Sequence, residues 1–408
     1  MLCYASHGFI SLVDISPSNL IAAKIKKLIN ASNIRRLQPF LSTPPFTEPP
    51  SIHRRFKAYT FQLEPSMSSK TTQARTALAE MAKDGAFARV DSVHRSTTVE
   101  PVAGRYHLYV SVACPWACGA LQAISIKGLN DVISHSITHP TWQRTRPDNP
   151  DDSHCGWVFR KASDEPLSNS NSHGSFAGDE LCGSGDQIEG CSSIRDLYEL
   201  SEDTGGKYTT PVLWDKKLKK IVNNESTEIL RIINKDFNEL ANNKSLGLVD
   251  LYPEELEEEG NRLNDIIYPN INNGVYRCGF ASSQAAYELA FKDLFDALDQ
   301  MEELLSKQRY LCGSKFTWID LRLFNTLIRF DEVYAVYFKC NKKLIREYPN
   351  LFNYTKDCYQ VKGMSGAISM YHIKTHYYTS HVGLNQHSVV PLGNKIDYCS
   401  AHDRARFE

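Results

Sequence analysis

The chain has 408 residues, 42% of them hydrophobic, and a net charge of −1, which is enough to bury a sizeable core and to form two domains with extensions. So even a charge balance removes any global electrostatic case for nucleic acid or an anionic membrane as partner, and no apolar run reaches the ~20 residues that a membrane span demands. The cysteines number eleven and are scattered without a Cys-x-x-Cys pair, which argues against zinc modules and for a reducing compartment.

Residues 1–70 differ in composition from the rest of the chain. The acidic residues before Met67 are Asp14, Glu48 and Glu64, against Lys24, Lys26, Lys27, Arg35, Arg36, Arg54, Arg55 and Lys57. Leu20 to Ile29 reads as a basic amphipathic helix, and the prolines between Ser42 and Pro50 forbid helix or strand there. An acid-poor, Ser-rich, basic composition is that of an organelle transit peptide. A disordered N-terminus, or translation starting at Met67, are the competing readings.

Residues 71–100 read as an arm, amphipathic from Gln73 to Phe87, and a first folded unit occupies 101–245. Its opening strand is Tyr106–Val112. Cys114 then sits at the mouth of a helix running to about Ile126, with Pro115 at the first helical position, where a missing N–H costs nothing. Unpaired backbone N–H groups and the positive end of the helix dipole favour thiolate over thiol at such a place. Cys114 is therefore the candidate nucleophile rather than a core thiol. Cys118, one helical turn later, is expected in the interior, and Gly119 weakens the helix by roughly 1 kcal/mol relative to alanine.

Ser163–Gly190 is rich in Ser, Asn, Gly and Asp and reads as a flexible surface insertion. Tyr208–Asp215 and Leu218–Asn223 read as a hairpin with Pro211 near its start. A proline opening a strand, after a cysteine on a strand–helix turn, points to the cis-proline loop of a thioredoxin-type sheet. There the preceding residue, Thr210, offers its backbone to a peptide-like ligand. Asn224–Thr227 lead into a helix whose free N–H groups, with the Ser226 hydroxyl, form a carboxylate-binding corner. In this order the features describe a glutathione site: cysteinyl backbone at Thr210, γ-glutamyl end at Glu225 and Ser226, sulfur toward Cys114.

Residues 246–385 are helical in pattern and 386–408 form a tail. Tyr287, Ala290, Leu294, Leu298, Met301 and Leu305 share one helix face. Thr317–Asp320 is a capping box opening the apolar helix Leu321–Phe330, which makes Asp320 a structural residue.

Cys114-Pro115-Trp116-Ala117, Gly156-Trp157-Val158-Phe159, Pro211 to Asp215 with Asn224-Glu225-Ser226, Asn272 to Ala281, Ile328 to Tyr334, His372 to Tyr378 and Ile396-Asp397-Tyr398 together resemble the glutathionyl-hydroquinone reductases, the Xi class of glutathione transferases, in their plant plastid-type form. The resemblance runs from about residue 75 to the C-terminus. It implies an α/β thioredoxin-like N-terminal domain followed by an all-helical glutathione-transferase C-terminal domain. It implies Cys114 as nucleophile, Trp157, Lys207, Tyr208, Thr209, Thr210, Glu225 and Ser226 as glutathione contacts, and Tyr276 as the tyrosine that moves a proton to the aromatic substrate. Tyr334 and Tyr377 are similar to the two tyrosines whose hydroxyls favour the thiolate.

The partners implied are glutathione and an S-glutathionyl-hydroquinone, with no metal, no nucleic acid and a homodimer. Given the N-terminal extension, the compartment expected is the plastid, with cytoplasm or mitochondrion as alternatives. The reaction implied is glutathione-dependent reduction of the conjugate to the hydroquinone through a Cys114–glutathione mixed disulfide, releasing oxidised glutathione. Two other readings stand beside it: an omega- or glutaredoxin-like thiol transferase, and a non-enzymatic carrier of glutathione conjugates.

Overall fold

The structure, a computed structural model, describes residues 84–87 and 91–407. The transit-peptide segment and most of the amphipathic arm lie outside the described residues. A four-stranded sheet, its strands in the order β2 (Ser134–Ile137), β1 (Tyr106–Val110), β5 (Val212–Asp215) and β6 (Lys220–Asn223), forms the first half. Its central strand, β1 (Tyr106–Val110), is buried at all five positions, as a strand covered on both faces must be. Leu108 and Val110 face the larger core, and Tyr109 faces a second cluster with Trp157, Phe159, Ile194 and Trp214.

Helix α1 (Pro115–Ile126) crosses over from β1 to the parallel strand β2 (Ser134–Ile137). The small antiparallel pair β3 (Gln143–Arg144) and β4 (Cys155–Gly156) comes next, then helix α2 (Ile194–Leu200). Strands β5 (Val212–Asp215) and β6 (Lys220–Asn223) form the expected hairpin, antiparallel to β1, and helix α3 (Ser226–Lys235) closes the half. The Thr210–Pro211 bond is cis. β1 is two residues shorter than the sequence suggests. Past Val110 the chain turns, with the Cys114 N–H donating to the Ser111 carbonyl at 3.0 Å, and this turn aims Cys114 away from the sheet.

The second half consists of α4 (Glu257–Ile267), α5 (Gly274–Phe280), α6 (Gln284–Leu305), α7 (Trp318–Arg329), α8 (Pro349–Gln360) and α9 (Met370–Ser380). Single π-helical turns, Tyr268–Asn272 and Phe330–Tyr334, join α4 to α5 and extend α7. On α6 the apolar positions from Ala290 to Leu305 are buried as their spacing predicts. The Thr317–Asp320 capping box is present. The Asp320 carboxylate also accepts from Leu311 N and from the Tyr354 hydroxyl, both at 2.9 Å, so it ties together three segments. No helix among the described residues is long and apolar enough to cross a membrane.

The 163–190 stretch, expected as a surface insertion, buries Asn169, Cys182 and Asp186. Asp186 accepts from the Tyr109 hydroxyl at 3.0 Å, and Asn169 donates to Ser388 Oγ at 2.6 Å. Composition alone hides such anchors, because buried Asn and Asp look the same as exposed ones until their partners are known. Helix α1 packs on both α3 and α7. That contact sets the Cys114 turn at the junction of sheet and helices.

Candidate active site

Cys114 is the N-cap of α1, with extended backbone (φ −77°, ψ 117°), and Pro115 begins the helix. Its half-buried thiol faces the Thr210 carbonyl at 3.6 Å. The sulfur and the cis-proline loop therefore oppose each other where β1 and β5 end. Tyr198, on α2, fixes that loop. Its hydroxyl bonds Thr209 through the backbone N–H, the carbonyl and the side chain, and also accepts from Asn224 Nδ2 at 2.8 Å.

Two clefts meet at this point, sharing Trp116, Lys207, Thr209 and Thr210. The first encloses about 840 Å³, its open mouth included, and is lined by Cys114 and by rings, among them Phe87, Trp142, Trp157, Tyr276, Tyr377 and His381. The second, about 540 Å³, is polar and runs past Asn224 to Glu225 and Ser226. The expected glutathione contacts thus divide. Trp157 and Tyr208 line the ring cleft, Glu225 and Ser226 the polar one, and Lys207, Thr209 and Thr210 both. The carboxylate-binding corner differs from expectation. Two of its N–H groups, those of Thr227 and Glu228, donate to the Glu225 carboxylate at 2.8 and 3.0 Å. The corner offers a ligand's ammonium and carboxylate ends the Glu225 carboxylate and the Ser226 hydroxyl, in a cleft also lined by Arg95, Lys207 and Arg322.

The three tyrosines are brought together. The Tyr377 hydroxyl lies 2.5 Å from that of Tyr276 and 2.9 Å from that of Tyr334. They are staggered in depth: Tyr276 and Tyr377 line the cleft with Cys114, whereas Tyr334 is fully buried behind Tyr377 and does not line it. Burial holds the Tyr334 and Tyr377 phenols well above their usual range, so both keep their protons. Tyr334 does not reach the cleft itself and acts on the sulfur side through the phenols in front of it, Tyr377 and Tyr276. The ring of Phe338 stacks on Tyr334 at 5.6 Å and keeps the group in place.

Trp142, His376 and His381 also line the ring cleft, and sequence reasoning gives them no role. The His376 ring stacks on Trp157 at 4.3 Å. Burial lowers His381 to about 4, lowers His154 to about 4 and holds His376 well below its usual value, so all three are neutral near pH 7. The signal that could have found His376 and His381 is the density of His and Tyr from 372 to 381, unusual for a stretch that must also be buried. Outside the clefts, Asp179, Cys182 and His372 bring three metal-capable atoms within 4.8 Å of one another. The His372 Nε2 is hydrogen-bonded to Asp179 at 2.8 Å, and among the described residues its Nδ1 has no hydrogen-bond partner such as usually orients a metal-bound histidine.

Residues 284–357 match the family described as the C-terminal domain of glutathione S-transferase. The chain is 38% identical to the glutathionyl-hydroquinone reductase YqjG of Escherichia coli K12 over 74% of this chain and 82% of that protein. It is also 38% identical to the glutathionyl-hydroquinone reductase PcpF of Sphingobium chlorophenolicum, over 76% and 90%. Among solved structures, the glutathione S-transferase Xi of Phanerochaete chrysosporium superimposes with a TM-score of 0.67 at 39% identity, covering 77% of this chain and 95% of that one. The glutathione-bound YqjG structure superimposes with a TM-score of 0.65 at 36% identity, covering 75% and 89%. With its thioredoxin-like sheet, helical second half and these relatives, the chain belongs to the glutathionyl-hydroquinone reductases, the Xi class of glutathione transferases.

Proposed function

We propose that the protein reduces S-glutathionyl-hydroquinones to hydroquinones at the expense of glutathione, with Cys114 as nucleophile. The observation that carries this reading is the position of the Cys114 sulfur. It sits where a polar cleft ending at Glu225 meets a cleft walled by uncharged rings. A tripeptide with charged ends suits the first and an aromatic ring suits the second.

Each step derives from that placement. Thiolate Cys114 attacks the sulfur of the bound conjugate, forming a Cys114–glutathione disulfide. The electron pair of the broken C–S bond passes to the ring carbon, which takes a proton from the Tyr276 hydroxyl. Tyr377, bonded to Tyr276, stabilises the charge left on that oxygen. After the hydroquinone leaves, the thiolate of a second glutathione attacks the glutathione sulfur of the mixed disulfide, giving oxidised glutathione and free Cys114. Tyr276 recovers its proton from solvent through the open mouth of the cleft. A homodimer and a plastid location complete the reading, the latter supported by the composition of residues 1–70.

Turnover of glutathionyl-menadione with glutathione tests the proposal, with menadiol and oxidised glutathione as products. A glutathione-mass adduct on Cys114 is expected in the absence of the second thiol. Cys114→Ser is expected to abolish turnover while the conjugate still binds. Near-wild-type turnover by that variant would refute the assignment, and strong preference for a simple glutathione mixed disulfide would make the protein a thiol transferase instead.

A further inference from the structure

Arg329 is the last residue of α7 and is fully buried. Its Nε donates to the Ala113 carbonyl at 3.2 Å, and Nη2 donates to the Val112 carbonyl at 3.0 Å and to Cys118 Sγ at 3.1 Å. Nη1 donates to the Asn325 carbonyl at 2.6 Å and reaches Asn325 Oδ1 at 3.4 Å. None of these acceptors is a carboxylate. A guanidinium keeps its proton inside a protein, so among the described residues a whole positive charge is buried against dipoles with no carboxylate on it, an arrangement that favours any anion forming nearby.

The location narrows which anion. The two carbonyls it grips belong to the residues immediately before Cys114, and Cys118 is one helical turn after it. Cys118 itself stays a thiol. Burial raises its pKa, and its sulfur bonds the carbonyls of Val112 and Ala367 at 3.2 and 3.3 Å. We propose that Arg329 is a positioning residue for the chemistry at Cys114, clamping the Val112–Ala113 turn onto α7 and supplying from behind the positive charge that an anionic sulfur needs. This deepens the functional reading above and rests on Cys114 being the nucleophile.

The other titratable groups around the sulfur are of four kinds. The phenols are Tyr276, Tyr377 and Tyr208 on the cleft wall, with Tyr334 behind. The histidines His154, His376 and His381 are neutral, Cys155 shares the wall, and Lys207 is the remaining cation there. Arg329 differs from Lys207 in approaching through the protein interior, where water does not screen it.

The test is the rate of Cys114 alkylation by iodoacetamide against pH, read peptide by peptide because Cys399 is also exposed. Arg329→Met removes the charge and the clamp. Asn325→Asp keeps the clamp and gives the guanidinium a counter-ion of the same shape as the amide it replaces. Both are expected to move the midpoint of the Cys114 curve up by about one pH unit, an approximately tenfold slower reaction at pH 7. Arg329→Lys is expected to leave the midpoint in place and lower kcat. An unmoved midpoint in folded Asn325→Asp protein, or an Arg329→Lys curve displaced as far as that of Asn325→Asp, overturns the proposal even if Arg329→Met does not fold. Alkylation needs no quinone substrate. Failure of the wild-type protein to turn over the conjugate would therefore sink the reaction and leave this measurement standing.

Discussion

The polar cleft over Glu225 and the ring cleft over Tyr377 share Trp116, Lys207, Thr209 and Thr210 but are built differently. The first is centred on one reach of chain, Lys207 to Ser226, with the cis-proline loop and one helix start, to which Asp91, Arg95, Tyr268 and Arg322 add side chains from elsewhere. The second collects Phe87, Trp142, Tyr276 and His381 from separate regions and relies on packed side chains. Backbone-defined sites suit a ligand part that never varies, such as the tripeptide. Side-chain walls of uncharged rings suit a part whose substituents differ from one quinone to the next. Damage on the polar side should therefore appear in KM for glutathione, and damage on the ring side in the chemical step.

After the loss of Cys114 itself, the largest effect is expected at Tyr377, whose hydroxyl joins those of Tyr276 and Tyr334. Tyr377→Phe breaks both bonds and removes one of the hydroxyls that stabilise the deprotonated form of Tyr276. A loss of about 10²-fold in kcat is expected, within the range for a positioned proton donor, with KM for glutathione unchanged. Steady-state kinetics on glutathionyl-menadione measure it. If KM for glutathione rises and kcat holds, the two clefts are not separable.

Next in size is the pH effect of one ring-cleft residue. His381 is fully buried and its pKa is lowered from 6.5 to about 4 by burial. Its folded pKa lies below its unfolded one, so the unfolded chain binds the extra proton first. The neutral-state stability is complete above pH 6.5 and is lost as pH falls toward 4. At pH 5 the loss from this one residue is about 2 kcal/mol. His381→Gln, which cannot take up that proton, should flatten the fall of Tm between pH 6.5 and 5. An unchanged slope would mean that the imidazole is charged in the folded protein.

The division between clefts also marks how much is legible in the sequence. Cys114, Pro115 and Pro211 announce themselves because a turn, a helix start and a strand start are local events with local residue preferences. The depth order of Tyr276, Tyr377 and Tyr334 is not local. It depends on α5, α7 and α9 converging, and the tyrosines are identified through the resemblance of their flanking segments. Arg329 stands in plain view as a charge within an apolar helix. Its meaning lies in carbonyls on the far side of the domain junction. The Glu225 cap departs from expectation for the opposite reason, since a side chain reaching over its own helix start competes with a ligand for the same N–H groups.

On the polar side, Glu225→Gln sharpens the comparison. The amide oxygen can still accept from Thr227 and Glu228, so the helix cap survives, while the charge facing a ligand ammonium is lost. An increase of about tenfold in KM for glutathione is expected, the scale of one charge-assisted hydrogen bond, with kcat close to wild type. Isothermal titration with glutathione gives the same quantity as a binding constant. Equal losses in kcat and affinity would instead place Glu225 in the chemical step.

The smallest effect isolates the helix that carries the cysteine from both clefts. Gly119 lies in the interior of α1, buried, and its backbone is ordinary helix. A methyl group added there would meet Leu230 Cδ1 at 3.8 Å, a normal contact rather than a clash. Gly119→Ala should therefore remove only the conformational freedom that glycine gives the unfolded chain, stabilising the protein by about 0.5–1 kcal/mol and raising Tm by about 2 °C. Because Gly119 lines neither the ring cleft nor the polar cleft, kcat and KM should stay as they are. A fall in kcat without loss of stability would show that the pitch of α1 itself tunes the sulfur, and that the clamp at Arg329 is not what holds Cys114 in register.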